Sequence, residues 1–276
     1  MSFDHKRTHW MMPERGLWTP PGLCSLMSPA ALGIFGRVPG FAVDAAAFDG
    51  VNDYLQSVTA LSTAADSNEM LFSAWYRFNS TAGDGVEQRL FSSTANNISI
   101  FKSTGNTINV SLLSSTGGLV WGNAISTGTL TSTSGWAHLL ITVDTVNSSA
   151  NLYINGLESL IAASTVLART IDFTWGDWSV GAAVDASAKS YVDMAEVYFN
   201  VSTDGGGAAA MLSKFRVNSK PISLGPTGSL PTGADPIMYL HLDDGESAAN
   251  FANNPGSGST WTIVGALAAS TSSPTD

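Results

Sequence analysis

Period-two alternation of apolar and polar residues dominates the middle of this chain. In Glu69–Phe78, the residues Met70, Phe72, Ala74, Tyr76 and Phe78 fall on one side, the spacing of a strand that lays one face on a core. Ile98 and Ile100, then Ile108, Val110 and Leu112, repeat it, and Leu139, Ile141 and Val143 do so within Trp136–Val143. Asn151–Asn155 follows and ends in Asn155-Gly156, a pair that suits the two positive-φ positions of a type I′ hairpin turn. Further strands are predicted over Trp178–Ala182 and Ser190–Phe199. Many short strands of this period, separated by Gly, Asn, Ser and Thr, predict an all-β antiparallel two-sheet sandwich or barrel.

The two ends read differently. Residues 1–40 carry Trp10, Met11, Met12, Trp18, Leu23, Met27, Ile34 and Phe35 without a clean period, interrupted by Pro13, Pro20, Pro21, Pro29 and Pro39. Proline fixes φ and removes a backbone donor, so an extended N-terminal arm is predicted. After the sandwich at 41–201, a Gly/Pro-rich C-terminal extension over 202–276, expected to pack on the sandwich or on partners, begins with the break Asp204-Gly-Gly-Gly207. Ala208–Val217 is predicted as one short helix with Met211, Leu212 and Phe215 inward, Ser219–Asp235 as loop, and Pro236–Leu242 and Trp261–Val264 as strands. No repeat of solenoid or propeller spacing is present.

Composition narrows the function classes. The chain of 276 residues has a formal net charge of −10, and its basic residues are scattered apart from Lys6-Arg7. A nucleic-acid partner needs Lys and Arg gathered on one face, so none is expected. Cys24 is the single cysteine, which excludes an intrachain disulfide and a zinc site built on cysteines. The N-terminus lacks the apolar run of a secretory leader, and no stretch approaches the roughly 18 apolar residues of a membrane span. The chain is therefore expected to be made in a cytoplasm, with no membrane partner. The sequons at Asn79, Asn97, Asn109, Asn147 and Asn200 are read as chance in a Ser/Thr-rich sequence. Charged residues make up only 12%, which suits a surface that packs closely with neighbours.

The order of motifs from Phe48 to Phe199 resembles the laminin-G-like branch of the concanavalin A-like jelly rolls. Phe48-Asp-Gly-Val-Asn-Asp-Tyr-Leu55 is similar to that family's opening strand and turn, and Phe72-Ser-Ala-Trp-Tyr-Arg-Phe78 to its next strand. Gly135–Val143 with Ala150–Gly156 is similar to its central hairpin, and Trp178–Gly181 with Tyr191–Phe199 to its closing strands. The tail, Ser219–Leu240 and Asn253-Asn-Pro-Gly-Ser-Gly258, resembles the C-terminal ends of laminin-G-like proteins of tailed bacteriophages and prophages. That resemblance implies a non-enzymatic virion component, such as a capsid decoration protein, head fibre or tail appendage. Its arm and tail would dock on other virion proteins, and a homo-oligomer, a trimer by analogy, would form. The alternative is a carbohydrate-binding lectin module for attachment to a cell-surface glycan.

Candidate chemistry follows from both readings. Laminarinase-type enzymes share the sandwich and carry E-x-D-x-x-E on one strand, with paired carboxylates as nucleophile and acid/base. Here Asp193 and Glu196 stand in that spacing, but Tyr191 occupies the nucleophile position, so no catalytic residues are assigned. His138 is read as a packed histidine. Calcium is the realistic cofactor, since hard cations take several oxygen ligands. Asp49, Asn52 and Asp53 share the first turn, and the resemblance would bring Asp193 or Glu196 near it. Glycan binding would use exposed rings against sugar faces; Trp121, Trp175 and Trp178 are the candidates, while Trp75 and Trp136 are assigned to the core.

Overall fold

The computed structural model describes residues 43–276 except 58, 162, 163 and 204–206. The predicted arm at 1–40 and most of the Asp204–Gly207 break lie outside the described residues. Strands pair antiparallel throughout two large sheets. The first sheet runs, in spatial order, Leu157–Glu158, Ser149–Ile154, Ala137–Asp144, Glu69–Phe78, Tyr191–Asn200, Ala46–Asp49 and Ala268–Ala269, with Met238–Leu240 added beside the closing strand Tyr191–Asn200. The second runs Thr165–Val166, Leu119–Thr129, Thr107–Leu113, Ile98–Lys102, Gln88–Ser93, Trp178–Val180, Tyr54–Ser57 and Thr262–Val264.

The alternating apolar residues meet between the sheets. Met70, Phe72, Ala74, Tyr76 and Phe78 face Ile98, Ile100, Ile108, Val110 and Leu112 in one continuous core. At its centre Phe91 stacks on Phe72 at 5.6 Å and on Trp178 at 5.2 Å, and Phe199 tilts against Phe91, Phe173 and Trp178. Such aromatic contacts each add about 0.5–1.5 kcal/mol beyond the area they bury. Asn155 and Gly156 take φ of +53° and +82°, and close the hairpin that their sequence predicts.

The two sheets differ on their outer faces. Thr107–Leu113 alternates buried and partly exposed residues, as a one-sided strand does. Glu69–Phe78, Ala137–Asp144 and Tyr191–Asn200 are buried on both faces, which alternation alone does not predict. Their second cover is the C-terminal extension: Met211, Phe215, Leu224 and Tyr239 pack on Leu71, Leu140 and Tyr198 of the first sheet. The extension also completes both sheets, through Thr262–Val264 on the second and Ala268–Ala269 on the first. The described residues belong to one packed unit.

One predicted element changes and two strands are added. The helix predicted over Ala208–Val217 ends at Leu212, because Arg216–Val217 turns back onto Lys220–Pro221 through Asn218 and Ser219, both with positive φ. Gln88–Ser93 and Leu119–Thr129 are strands that the pattern misses. Bulges interrupt their pairing and two glycines dilute the second, so neither keeps period two. Among the described residues no helix is long and apolar enough to cross a membrane.

Candidate functional site

The tryptophan candidates separate sharply. Trp121 and Trp178 are 1% and 0% exposed, and the indole of Trp178 donates to the Trp175 carbonyl at 3.0 Å. Both are core rings and present no face on which a sugar can stack, contrary to their place among the glycan-binding candidates. Trp175 is half-buried and packs against the main core. Trp75 is buried on the outer side of the first sheet with Val43, Ala45 and Ala195, and Trp136 packs against that cluster.

The carboxylates considered for calcium do not converge on one point. Asp49 Oδ1 accepts from the backbone N–H of Val51, Asn52 and Asp53 at 2.7–3.3 Å, the geometry of a self-capped turn. Asp53 is buried and its Oδ1 accepts from Ala266 N at 2.8 Å. Asp193 is ion-paired to Arg77 at 2.5 Å and takes a hydrogen bond from Asn79. Glu196 is 3% exposed and accepts from the Tyr239 hydroxyl at 2.7 Å; burial pushes its carboxyl up to about 8. Asn52 is exposed beside Asp49. Internal donors thus hold one oxygen each of Asp49, Asp53 and Glu196, and Arg77 with Asn79 holds both of Asp193. Among the described residues no group of three or more acids, histidines or cysteines is placed to hold a metal.

Asp193 and Glu196 are equally unsuited to glycoside chemistry here, because neither opens to a substrate. His138 makes a Ser–His contact, its Nε2 lying 2.9 Å from Ser73 Oγ. Yet it is fully buried against Trp75, and desolvation, helped by the Arg216 charge, pushes it down to about 3. It is a packed neutral histidine.

The accessible polar chemistry lies elsewhere, at one end of the first sheet. Glu69 opens its strand directly opposite Asp144, which ends the neighbouring one, and Asp144 in turn pairs with Ser149. Around them opens a cleft of about 650 Å³ lined by Asp66, Ser67, Asn68, Glu69, Asp144 and Asn147, with Val146 and Thr170. A second depression of about 360 Å³ shares Glu69, Asp144 and Asn147 and adds Thr142, Ser149 and Asn151. Neither lining contains Lys, Arg or an aromatic ring.

Internal bonds fix this array. The Asn147 side chain and backbone N–H hold the Asp144 carboxylate at 2.6 and 3.0 Å, and these bonds keep it below the usual carboxylate range. Glu69 accepts from Thr203 N and Oγ1 at 2.7 and 3.0 Å. Thr145 ties the two turns together through Asn68 O and Oδ1. Asp66 is raised, first by desolvation and then by the neighbouring Asp172. Sequence reasoning missed this site. Its signal is two acid- and amide-rich turns, 66–69 and 144–147, which only the tertiary structure brings together.

Residues 49–205 match the concanavalin A-like lectin/glucanases superfamily, in its third laminin-G group. The chain belongs to this superfamily. Among solved structures, the concanavalin A-like sandwich is similar to a Bacteroides ovatus protein provisionally assigned to carbohydrate binding, with a TM-score of 0.52 and 12% identity over 75% of this chain and 53% of that one. The chain thus spans about half the length of that protein. It is also similar to the heptameric SAP-like pentraxin of Limulus polyphemus, at TM-score 0.39 and 12% identity over 58% and 76% of the two chains. Domains LG4-5 of the mouse laminin alpha1 chain match at TM-score 0.41 and 13% identity over 58% and 43%. No curated protein sequence matches the chain. The likeness to the Bacteroides ovatus protein, at this identity, establishes the concanavalin A-like fold alone. The superfamily's match ends at 205, whereas the segment covering the first sheet comes after it.

Proposed function

We propose that this chain is a carbohydrate-binding module that takes its glycan in the polar cleft between Asn68–Glu69 and Asp144–Asn147. The observation that carries the reading is the cleft itself. It is a fixed array of carboxylate, amide and hydroxyl groups at the open end of a lectin-type sandwich. Sugar hydroxyls both donate and accept. Carboxylates accept, side-chain amides do both, and groups already held by their neighbours lose little freedom on binding. Val146, 68% exposed beside the cleft, offers apolar surface to a sugar C–H face. Membership of a lectin and glucanase superfamily supports the ligand class, and the fold shared with the Bacteroides ovatus protein agrees with it.

The virion setting, with its oligomer and its docking through arm and tail, rests on the tail's resemblance to phage proteins. It concerns where the module is displayed and is compatible with binding a host glycan. The binding reading is preferred because described residues carry it.

A glycan array probed with the purified chain, followed by calorimetry on the best hit, tests the proposal. The expected result is saturable binding that falls at least tenfold in Asp144→Ala and in Asn147→Ala, with far-UV circular dichroism unchanged. Absence of any array signal, or full affinity in both variants, would refute it.

A further inference from the structure

The closing strand changes partner at Glu196. Tyr191–Met194 pair with Asp49–Ala46, whereas Val197–Phe199 pair with Leu240–Met238 of the C-terminal extension. Between the two pairings the register shifts, and Glu196 takes φ of +51°, a bulge that re-aims its side chain. Its carboxyl meets the hydroxyl of Tyr239, the middle residue of the added strand, in a hydrogen bond with both residues buried.

Tyr239 is also the hinge-pin of the covering segment. It packs with Met211, Phe215 and Leu224 over Leu71, Leu140 and Tyr198. Its ring stacks on His241 at 4.4 Å, and the loop at Gly228 approaches it so closely that a Cβ there would lie 2.9 Å from the ring. Among the described residues no cation acts on Glu196. From the extension it faces Tyr239 and the Asp243 carboxylate; His241 stacks on Tyr239 and in turn feels Asp243 and Glu246. From Glu69–Phe78, the register sets Ser73, Ala74 and Trp75 opposite it, none of them titratable. From Val43–Asp44, Asp44 accepts from Gly245 N. None of these groups is Lys or Arg.

We propose that Glu196 and Tyr239 form a proton-controlled latch that fixes residues 208–243 over the outer face of the first sheet, so that losing one proton loosens this segment while the sandwich core stays closed. The added strand is held along one edge by three residue pairs, whereas Ala137–Asp144 is paired on both sides. Segments with fewer partners open at lower free-energy cost than the global fold. The sign follows from burial. A carboxyl raised from 4.5 to about 8 in the closed state stabilises closure fully below pH 4.5, and that contribution is lost as pH rises to about 8.

Hydrogen exchange between pH 5 and 9, corrected for the intrinsic rate, tests the latch in the full chain. Protection at 238–240 and 211–215 should fall about tenfold per pH unit up to about pH 8 and then level off, while 139–143 holds constant. Glu196→Gln should abolish that dependence. Parallel loss at 139–143, or the same pH dependence in Glu196→Gln, overturns the latch. Should the variant not fold, carboxyl carbon NMR of the native chain decides. A Glu196 midpoint near 8 supports the latch, and one in the ordinary range near 4.5 sinks it.

Discussion

Arg77 grips Asp193 across two adjacent strands, its Nε and Nη2 lying 2.7 and 2.5 Å from the same carboxylate oxygen. Asn79 donates to the other oxygen at 2.8 Å, and the Arg77 guanidinium lies 5.8 Å from the centre of the Trp136 ring. The aspartate is 2% exposed and its partner 26%. Removing the cation would strand a buried charge, which typically costs about 3–5 kcal/mol. Partial exposure of Arg77 places Arg77→Met at the lower end, about 3 kcal/mol. Urea unfolding is the check, and a loss under about 1 kcal/mol would mean that the pair behaves as a surface bridge.

The buried tryptophans serve packing. Trp178→Ala is expected to cost about 3–5 kcal/mol through the cavity it leaves, against Phe91 and Phe199. Trp178→Phe should retain glycan affinity within a factor of about two, since the cleft lies elsewhere. Array binding lost in the folded Phe variant would return Trp178 to the ligand site.

Asp53 acts as a clasp. Gly265 has φ of +87°, and a Cβ there would lie 2.2 Å from Asp53 Oδ1 and 2.7 Å from Asn52 O. Gly265→Ala therefore combines backbone strain with a collision and should destabilise by at least about 2 kcal/mol. Thermal unfolding measures it. An unchanged melting temperature would show that the loop holding Ala266 to Asp53 contributes nothing to stability.

Two buried groups give stability an unusual pH profile. His138 is pushed down from 6.5 to about 3, so its contribution is complete above pH 6.5 and is lost as pH falls toward 3. Glu196 is pushed up from 4.5 to about 8, so its contribution is complete below pH 4.5 and is lost as pH rises toward 8. Between 4.5 and 6.5 the slopes oppose each other. Denaturant midpoints should form a plateau over that interval and decline on both sides. In His138→Phe the acid decline should be shallower, and in Glu196→Gln the alkaline one. A maximum at pH 8 in the native chain would contradict the Glu196 assignment, and undiminished stability at pH 4 the His138 one.

The inner face of the sandwich was legible because alternation reports it directly. Met70 through Phe78 and Ile108 through Leu112 point as their spacing requires, and Asn155-Gly156 makes the turn its φ preferences dictate. The double burial of the first sheet was not legible. Leu71, Leu140 and Tyr198 sit at outward positions, and their cover comes from Met211 to Tyr239, a loop-rich segment without a period of its own. Trp121 was misplaced for a related reason: its glycine neighbour reads as loop, but it lies on a strand of the second sheet, whereas Trp178 stands on a strand that its sequence predicts and is turned into the core. The cleft was invisible because Asn68–Glu69 and Asp144–Asn147 are distant in sequence and meet only through the pairing of Glu69 with Asp144 and the bonds from Thr145 to Asn68.

Taken by itself, the sequence determined the class of fold, the strands with an unbroken period and the superfamily, because backbone sterics and side-chain alternation act over a few residues. Tertiary structure alone decided the fate of the polar groups. Asp193 became half of an ion pair, Asp53 a clasp, Glu196 a buried carboxyl against Tyr239, and Glu69 with Asp144 the floor of an open cleft. Whether a carboxylate is charged, paired or free depends on which distant strand arrives beside it and how much water remains. Desolvation and Coulomb terms act through space, so spacing along the chain cannot encode them.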